Sequence, residues 1–278
     1  MKKTYRWGII GPGKIAKKFA EAIPIAGDAV LEAVASKDSK RGTAFAKQFN
    51  AARSFDSYEA LGKDSGIDAV YIAVPHAFHM DAALLCLASG KAVLCEKPMA
   101  LSASQVKAMT EASEKHSAFL MEAMWTRFLP IISLLSRIID EGAIGEIKYV
   151  RADFGFKAHY DPASRLFNPK LGGGSLLDVG IYPLFLAMHL LGVPHSIAAK
   201  AERTSSEVDK TCLALLQYGN QASAFIHSSL AMNTKLIAEI GGMQGVIRIP
   251  APWYRGHTVE LTRNGEATKI IKEEPIVN

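Results

Sequence analysis

Short apolar runs alternate with stretches of helical periodicity through the first half of the chain. Residues 5–10 are apolar, 14–23 amphipathic, 29–35 apolar, 40–49 amphipathic, 69–74 apolar and 78–89 helical in pattern. The rhythm continues with an apolar strand at 92–95, a helix that Ser102 would cap with Gln105 in the capping-box position, and a strand at 119–122. The alternation implies six parallel strands, five of them marked by these runs, in an open doubly wound α/β sheet with helices on both faces. Ligands of such sheets sit at the carboxyl ends of the strands.

Past about residue 124 the rhythm changes. A helical stretch at 130–140 is followed by a strand at 147–156, a loop containing Asp161-Pro162 and Asn168-Pro169, and a helix over 175–191. Strand patterns then dominate at 197–203, 211–218, 222–229, 236–241, 246–249, 259–262 and 268–272, with turn signals such as Gly219-Asn220 and Asn264-Gly265 between them. Consecutive strands joined by short turns predict a largely antiparallel open sheet. Two domains are therefore expected, an α/β domain over 1–124 and an α+β domain over 125–278.

Composition narrows the class. With 278 residues, 49% apolar and 21% charged, the chain has enough apolar material for two packed cores. The net charge of +5 comes from scattered residues rather than a dense basic run, so no nucleic-acid partner is expected. Cys86, Cys95 and Cys212 form no C-x-x-C pair and read as reduced buried thiols. The basic start is followed by an apolar run too short for a signal peptide, and a cytoplasmic protein is expected. The long apolar stretch 176–193 contains Asp178, Pro183 and His189 after a triple glycine, which favours a core helix over a membrane span.

The first chemical motif is Gly11-Pro12-Gly13-Lys14-Ile15-Ala16, directly after the first strand and at the opening of a helix. It fits G-x-G-x-x-G/A: a tight turn, close approach of a pyrophosphate to backbone, and close packing of helix on sheet. An ordinary glycine turn has the same local sequence. At the end of the second strand, where an acid would bind the adenosine 2′-hydroxyl of NAD, stand Ser36 and Lys37 with Arg41 a turn further on. A hydroxyl and two cations suit a 2′-phosphate and favour NADP(H) over NAD(H). Glu32 and Asp38 lie nearby and point the other way, and the two cations also fit a solvated surface.

The fifth strand ends in Cys95-Glu96-Lys97-Pro98. A lysine there can stabilise a neighbouring anion or hydrogen-bond a substrate oxygen, although a surface lysine after a buried strand has the same sequence. The glycine turn, Val74-Pro75-His76-x-x-His79 and Ala92-Val93-Leu94-Cys95-Glu96-Lys97-Pro98 together resemble the Gfo/Idh/MocA family of nicotinamide-dependent sugar and polyol oxidoreductases. Residues 85–91 and 121–128 are similar to the branch that contains dimeric dihydrodiol dehydrogenases and NADP-linked D-xylose dehydrogenases. The resemblance covers essentially the whole chain. It implies a Rossmann domain that binds the cofactor through Gly11, Gly13, Lys14, Ile15, Ser36, Lys37, Arg41, Val74, Pro75, His79, Glu96 and Lys97.

In the second half, Gly172-Gly173-Gly174 precedes a helix on which Asp178 and Tyr182 are spaced i, i+4 and share a face. The glycines are expected to let a ligand approach the helix start. Many family members carry histidine where Tyr182 stands, and the dihydrodiol dehydrogenase branch resembles this chain in having tyrosine. Tyr182 is expected to take the proton of the reacting hydroxyl as hydride passes to nicotinamide. A free tyrosine has a pKa near ~10, so a cation such as Lys97 must favour the phenolate. Asp178 would orient Lys97 or a second substrate hydroxyl. The same segment reads equally as a core helix with a buried tyrosine and an acid near its start.

Trp125 and Phe154 are candidates to wall a ring-shaped substrate, as well as ordinary packing. His76, His159, His189 and His227 share no ligand spacing, and no metal is expected. The expected activity is hydride transfer with an aldose, polyol or trans-dihydrodiol. The alternative is a non-catalytic NAD(P)-binding sensor of the same fold, which would be expected to show damage at Lys97, Asp178 or Tyr182. Relatives use an exposed sheet face for dimers or tetramers, so a homodimer through the second-domain sheet is expected. Relatives also continue for several dozen residues past the point where this sequence stops, Pro275-Ile276-Val277-Asn278; a compact variant, a truncated chain and an altered reading frame each account for this, and the far wall of the pocket and the stability are left open by it.

Overall fold

The computed structural model of the protein describes residues 3–219 and 221–274. Asn220 of the Gly219-Asn220 turn, the first two residues and the terminal stretch 275–278 lie outside the described residues. The chain divides into one unit ending at Ala123 and a second beginning at Met124.

The first unit is a six-stranded sheet, all parallel, in the order β3-β2-β1-β4-β5-β6. Its strands are β1 (Tyr5–Ile10), β2 (Ala29–Ala35), β3 (Arg53–Phe55), β4 (Ala69–Ile72), β5 (Ala92–Glu96) and β6 (Leu120–Ala123). The helices are α1 (Lys14–Ala26), α2 (Ser39–Gln48), α3 (Tyr58–Lys63), α4 (His79–Ala88) and α5 (Ala103–Lys115). Because side chains alternate faces along a strand, successive residues feed different cores. Ile10, Val70 and Ile72 pack on one side with Leu87 of α4 and Met109 of α5. Ile9, Val34 and Tyr71 pack on the other with Ala16 of α1 and Phe45 of α2. Both faces are covered, which is why these strands read as continuous apolar runs.

Ser102 does cap α5: its Oγ accepts the Gln105 N–H at 3.3 Å, while Gln105 Oε1 accepts the Leu101 N–H at 2.9 Å. The strand that no apolar run marked is β3, three residues long, and α3 after it has only six. Neither is long enough to show a period. Ser57, whose Oγ accepts the Ala60 N–H, is the one local signal for α3.

The second unit is built on an eight-stranded sheet in the order β14-β13-β12-β11-β7-β10-β9-β8. Its strands are β7 (Ile147–Gly155), β8 (Ser196–Arg203), β9 (Asp209–Gln217), β10 (Ser223–Ser229), β11 (Ala238–Gly242), β12 (Gly245–Ile249), β13 (Thr258–Arg263) and β14 (Lys269–Lys272). Every pairing is antiparallel except β7 with β10, where the chain returns to the middle of the sheet. Asn264-Gly265 forms the tight turn between β13 and β14, with Gly265 at φ 81°.

Helices α6 (Pro130–Asp140) and α7 (Ile181–Leu191) cover one face. Ile131, Leu135 and Ile138 of α6 and Leu186 of α7 share a core with Val150, Ile240 and Ile247. The stretch Pro169–Leu191 is long and apolar enough to span a membrane by length and composition, with mean hydropathy 1.5. Tyr182, Pro183, Leu186 and Ala187 within it are buried, and α7 packs on β7 and β10. The opposite sheet face presents Leu213 and Phe225, the last 49% exposed.

Candidate active site

In the first unit the candidate residues gather at the carboxyl ends of β1, β2, β4 and β5. The strand order reverses direction between β1 and β4, the position where open α/β sheets bind ligands. Gly11 ends β1 at φ 90° with its N–H on Ala35 O. A Cβ on Gly11 would stand 2.9 Å from the Ala73 carbonyl, so glycine is what lets β1 and β4 close beneath the turn. Helix α1 then starts at Gly13 without a side-chain cap. A Cβ on Gly13 would meet nothing closer than Ala73 O at 3.9 Å, which leaves space above uncapped N–H groups. Room, free donors and the positive end of a helix dipole fit the pyrophosphate of a dinucleotide. Gly13, Lys14 and Ile15 would hold it there.

At the end of β2, Ser36 is fully buried and Arg41 reaches back over it, with Nε and Nη2 both 3.4 Å from Ser36 Oγ. The two nearby acids are occupied. Glu32 accepts from Arg53 at 3.1 Å, and Asp38 caps α2 by accepting the Arg41 N–H at 3.1 Å. Lys37 places its ammonium over the rings of Tyr58 and Phe78, at 5.5 and 5.7 Å.

His79 is fully buried, and it links two strand ends. Its Nδ1 lies 2.9 Å from Pro98 O and its Nε2 2.9 Å from Val74 O. Burial holds the imidazole pKa below its ordinary value, while the two carbonyls pull it up. His79 therefore shapes the site by tying Val74-Pro75 to the turn after β5. That turn contains a cis Lys97–Pro98 peptide. Glu96, also buried, accepts the Tyr71 hydroxyl on Oε1 and the Lys97 N–H on Oε2 at 3.2 Å.

In the second unit, Asp178 lies in a π-helical turn over Leu176–Gly180 that leads into α7, where Tyr182 follows one turn later. Both are buried. Asp178 Oδ1 accepts from Arg165 Nη1 at 2.8 Å. The Tyr182 hydroxyl accepts the indole N–H of Trp125 at 3.1 Å. Phe154 and Tyr254 stack on each other at 4.1 Å, with Tyr182 5.2 Å from the first and 5.7 Å from the second. Trp125 is thus a donor to the Tyr182 oxygen and closes an aromatic surround together with Tyr254.

Gly174, the last of the three glycines before this helix, makes room for a carboxylate of the chain. Gly174 has φ 124°, and a Cβ on it would fall 2.2 Å from Asp209 Oδ1. Asp209 Oδ2 accepts from Ser175 Oγ and from the Leu176 N–H, each at 2.7 Å. At Gly174 and Leu176 the space and the N–H group are therefore taken by Asp209.

Residues 5–124 match the family described as oxidoreductase family, NAD-binding Rossmann fold, and residues 132–248 match the GFO/IDH/MocA C-terminal domain. The chain is 38% identical over 266 residues to trans-1,2-dihydrobenzene-1,2-diol dehydrogenase of Mus musculus, spanning 94% of this chain and 78% of the relative. The Xenopus tropicalis enzyme of the same name is 37% identical over 269 residues, 95% of this chain and 80% of the relative. The chain belongs to the Gfo/Idh/MocA family. The fold agrees: levoglucosan dehydrogenase with NADH and levoglucosan superposes with a TM-score of 0.89 at 22% identity, covering 98% of this chain and 80% of that one. A 3-ketoreductase from Actinomadura kijaniata with NADP and TDP-benzene gives 0.89 at 24% identity, covering 97% and 85%.

As a Gfo/Idh/MocA oxidoreductase, the protein carries an NAD(P)-binding Rossmann domain. Three site residues escaped sequence reasoning. Arg165 and Asp209 act through partners 13 and 33–34 positions away, and no local pattern marks such pairs. Tyr254, in Trp253-Tyr254-Arg255, offered only its aromatic character.

Proposed function

We propose that this protein is an NADP(H)-dependent oxidoreductase that moves hydride between nicotinamide and the secondary alcohol or hemiacetal carbon of an aldose, polyol or trans-dihydrodiol. The observation that carries the reading is the buried Tyr182 hydroxyl, which accepts the Trp125 N–H and stands one turn from Asp178. A donor aimed at a phenol oxygen favours the phenolate. In the oxidising direction Tyr182 Oη takes the proton of the reacting hydroxyl as the C–H hydrogen leaves with its electron pair. When bound, the oxidised nicotinamide supplies the acceptor for that hydride. Lys97 is assigned the cationic role that a tyrosine base needs near neutral pH. Asp178, held by Arg165, accepts from a second substrate hydroxyl. Phe154 and Tyr254 offer flat apolar surface to a ring.

NADP is the preferred cofactor in this reading, because Arg41 and Ser36 form a donor pair while Glu32 and Asp38 are engaged elsewhere. Absorbance assays with NADP and NAD against aldoses and cyclic trans-diols test both parts. Turnover with NADP is expected, and Arg41→Ala should raise its KM roughly 10–100-fold, the loss of one charge-assisted contact, with little change for NAD. Equal effects on both cofactors would overturn the assignment.

The open sheet face with Leu213 and Phe225 is assigned to self-association as a dimer. Light scattering during size exclusion should give twice the mass of one chain, and Phe225→Glu should halve it. A wild-type particle with the mass of one chain would contradict this.

A further inference from the structure

Tyr71 sits in the middle of the first unit's sheet and is 2% exposed. Its ring stacks on Phe19 of α1 with centroids 4.0 Å apart and planes 18° from parallel, and Phe19 in turn meets Trp7 edge-on at 5.1 Å. A phenylalanine would satisfy all of this packing. The hydroxyl has a separate partner, because it donates to Oε1 of Glu96, itself 8% exposed at the end of the adjacent strand β5.

Glu96 is a carboxyl in an expensive place. Burying a carboxylate costs several kcal/mol unless donors replace its water. Burial raises the Glu96 pKa; the Tyr71 hydroxyl, the Lys97 charge and the Lys97 N–H pull it back, and the neighbouring Glu122 charge pushes it up. The titratable groups that act on it are Tyr71 on β4, Lys97 on the turn and, through charge alone, Glu122 on β6, while Cys95 beside it on β5 faces the other side of the sheet. With Tyr71 on one oxygen and the Lys97 N–H on the other, both carboxylate oxygens receive a donor.

We propose that Tyr71 is a positioning residue for Lys97: its hydroxyl orients Glu96, and Glu96 fixes the backbone turn from which the Lys97 side chain departs. This rests on the reading that Lys97 serves hydride transfer. The consequence reaches α1 as well, since the Tyr71–Phe19 stack joins the phosphate-binding helix to the lysine turn through a single ring.

Tyr71→Phe keeps the stack and removes only the hydroxyl. Its kcat should fall about tenfold, as for one lost buried hydrogen bond, with KM for NADP and substrate within about twofold of wild type. The infrared band of the buried carboxyl, identified by its loss in Glu96→Gln, should titrate about 1 pH unit higher in Tyr71→Phe, because the charged form has lost a donor. Tyr71→Phe in a Glu96→Gln background should be no slower than Glu96→Gln alone. An unchanged kcat, a change confined to KM, an unmoved infrared midpoint or independent losses in the double variant would each overturn the proposal. An active Lys97→Met enzyme overturns the reading of Lys97 and the proposal with it. An inert Lys97→Met enzyme beside an unimpaired Tyr71→Phe enzyme overturns the proposal alone.

Discussion

Replacing Tyr182 by phenylalanine should lower kcat roughly 10²–10⁴-fold, the range for loss of a general acid–base group, and leave cofactor affinity unchanged. The ring of Tyr182 contributes to the second-unit core and to the aromatic group with Phe154 and Tyr254, and phenylalanine preserves both. What disappears is one oxygen, which accepts from Trp125 and, in the proposed reaction, from the substrate. The indole N–H is then left without that acceptor, at a cost of about 1–3 kcal/mol, so a modest fall in melting temperature should accompany the loss of turnover. Steady-state kinetics with fluorescence titration of NADPH separates the two effects. Retention of wild-type kcat would remove Tyr182 from the chemistry.

Lys97→Met should be similarly severe, again roughly 10²–10⁴-fold in kcat, for a different reason. Methionine keeps the length and apolar stem of lysine and deletes the charge. A tyrosine base then needs higher pH to ionise, so the variant's activity should reach its plateau at a higher pH than that of wild type. The Lys97 backbone N–H is held by Glu96, and Met leaves that contact intact. A variant whose pH profile parallels wild type would show that Lys97 does not act through a titrating base.

Much of this architecture is legible in the chain, and the exceptions share a cause. The helix of residues 130–140 and the strands of the first sheet carry strong periods or unbroken apolar runs, so local pattern and packing agree. The glycine turn is legible because position in a βα unit gives the motif its meaning. Short elements are not: β3 depends on pairing with β2 rather than on its own three residues. The widened turn at Leu176–Gly180 has no compositional mark, since it reflects one carbonyl reaching a residue further than in an α-helix.

Within the site, residue identities are easier to read than their duties. Trp125 reads as a possible wall, and its indole N–H turns out to be aimed at the Tyr182 oxygen. The glycines at 172–174 read as room for a ligand, whereas the space beside Gly174 belongs to the Asp209 carboxylate. His79 reads as a cofactor contact, and both its nitrogens face backbone carbonyls. In each case a partner distant in sequence sets the role, and only the folded chain brings that partner in.

The most direct test follows a single hydrogen. An aldose or trans-dihydrodiol bearing deuterium at the carbon of the reacting hydroxyl, incubated with the protein and NADP, should yield reduced nicotinamide carrying one deuterium at C4, read by mass spectrometry. Reduced cofactor without label would place the chemistry at another carbon, and bound cofactor with no reduction across the substrate panel would contradict hydride transfer as the protein's function.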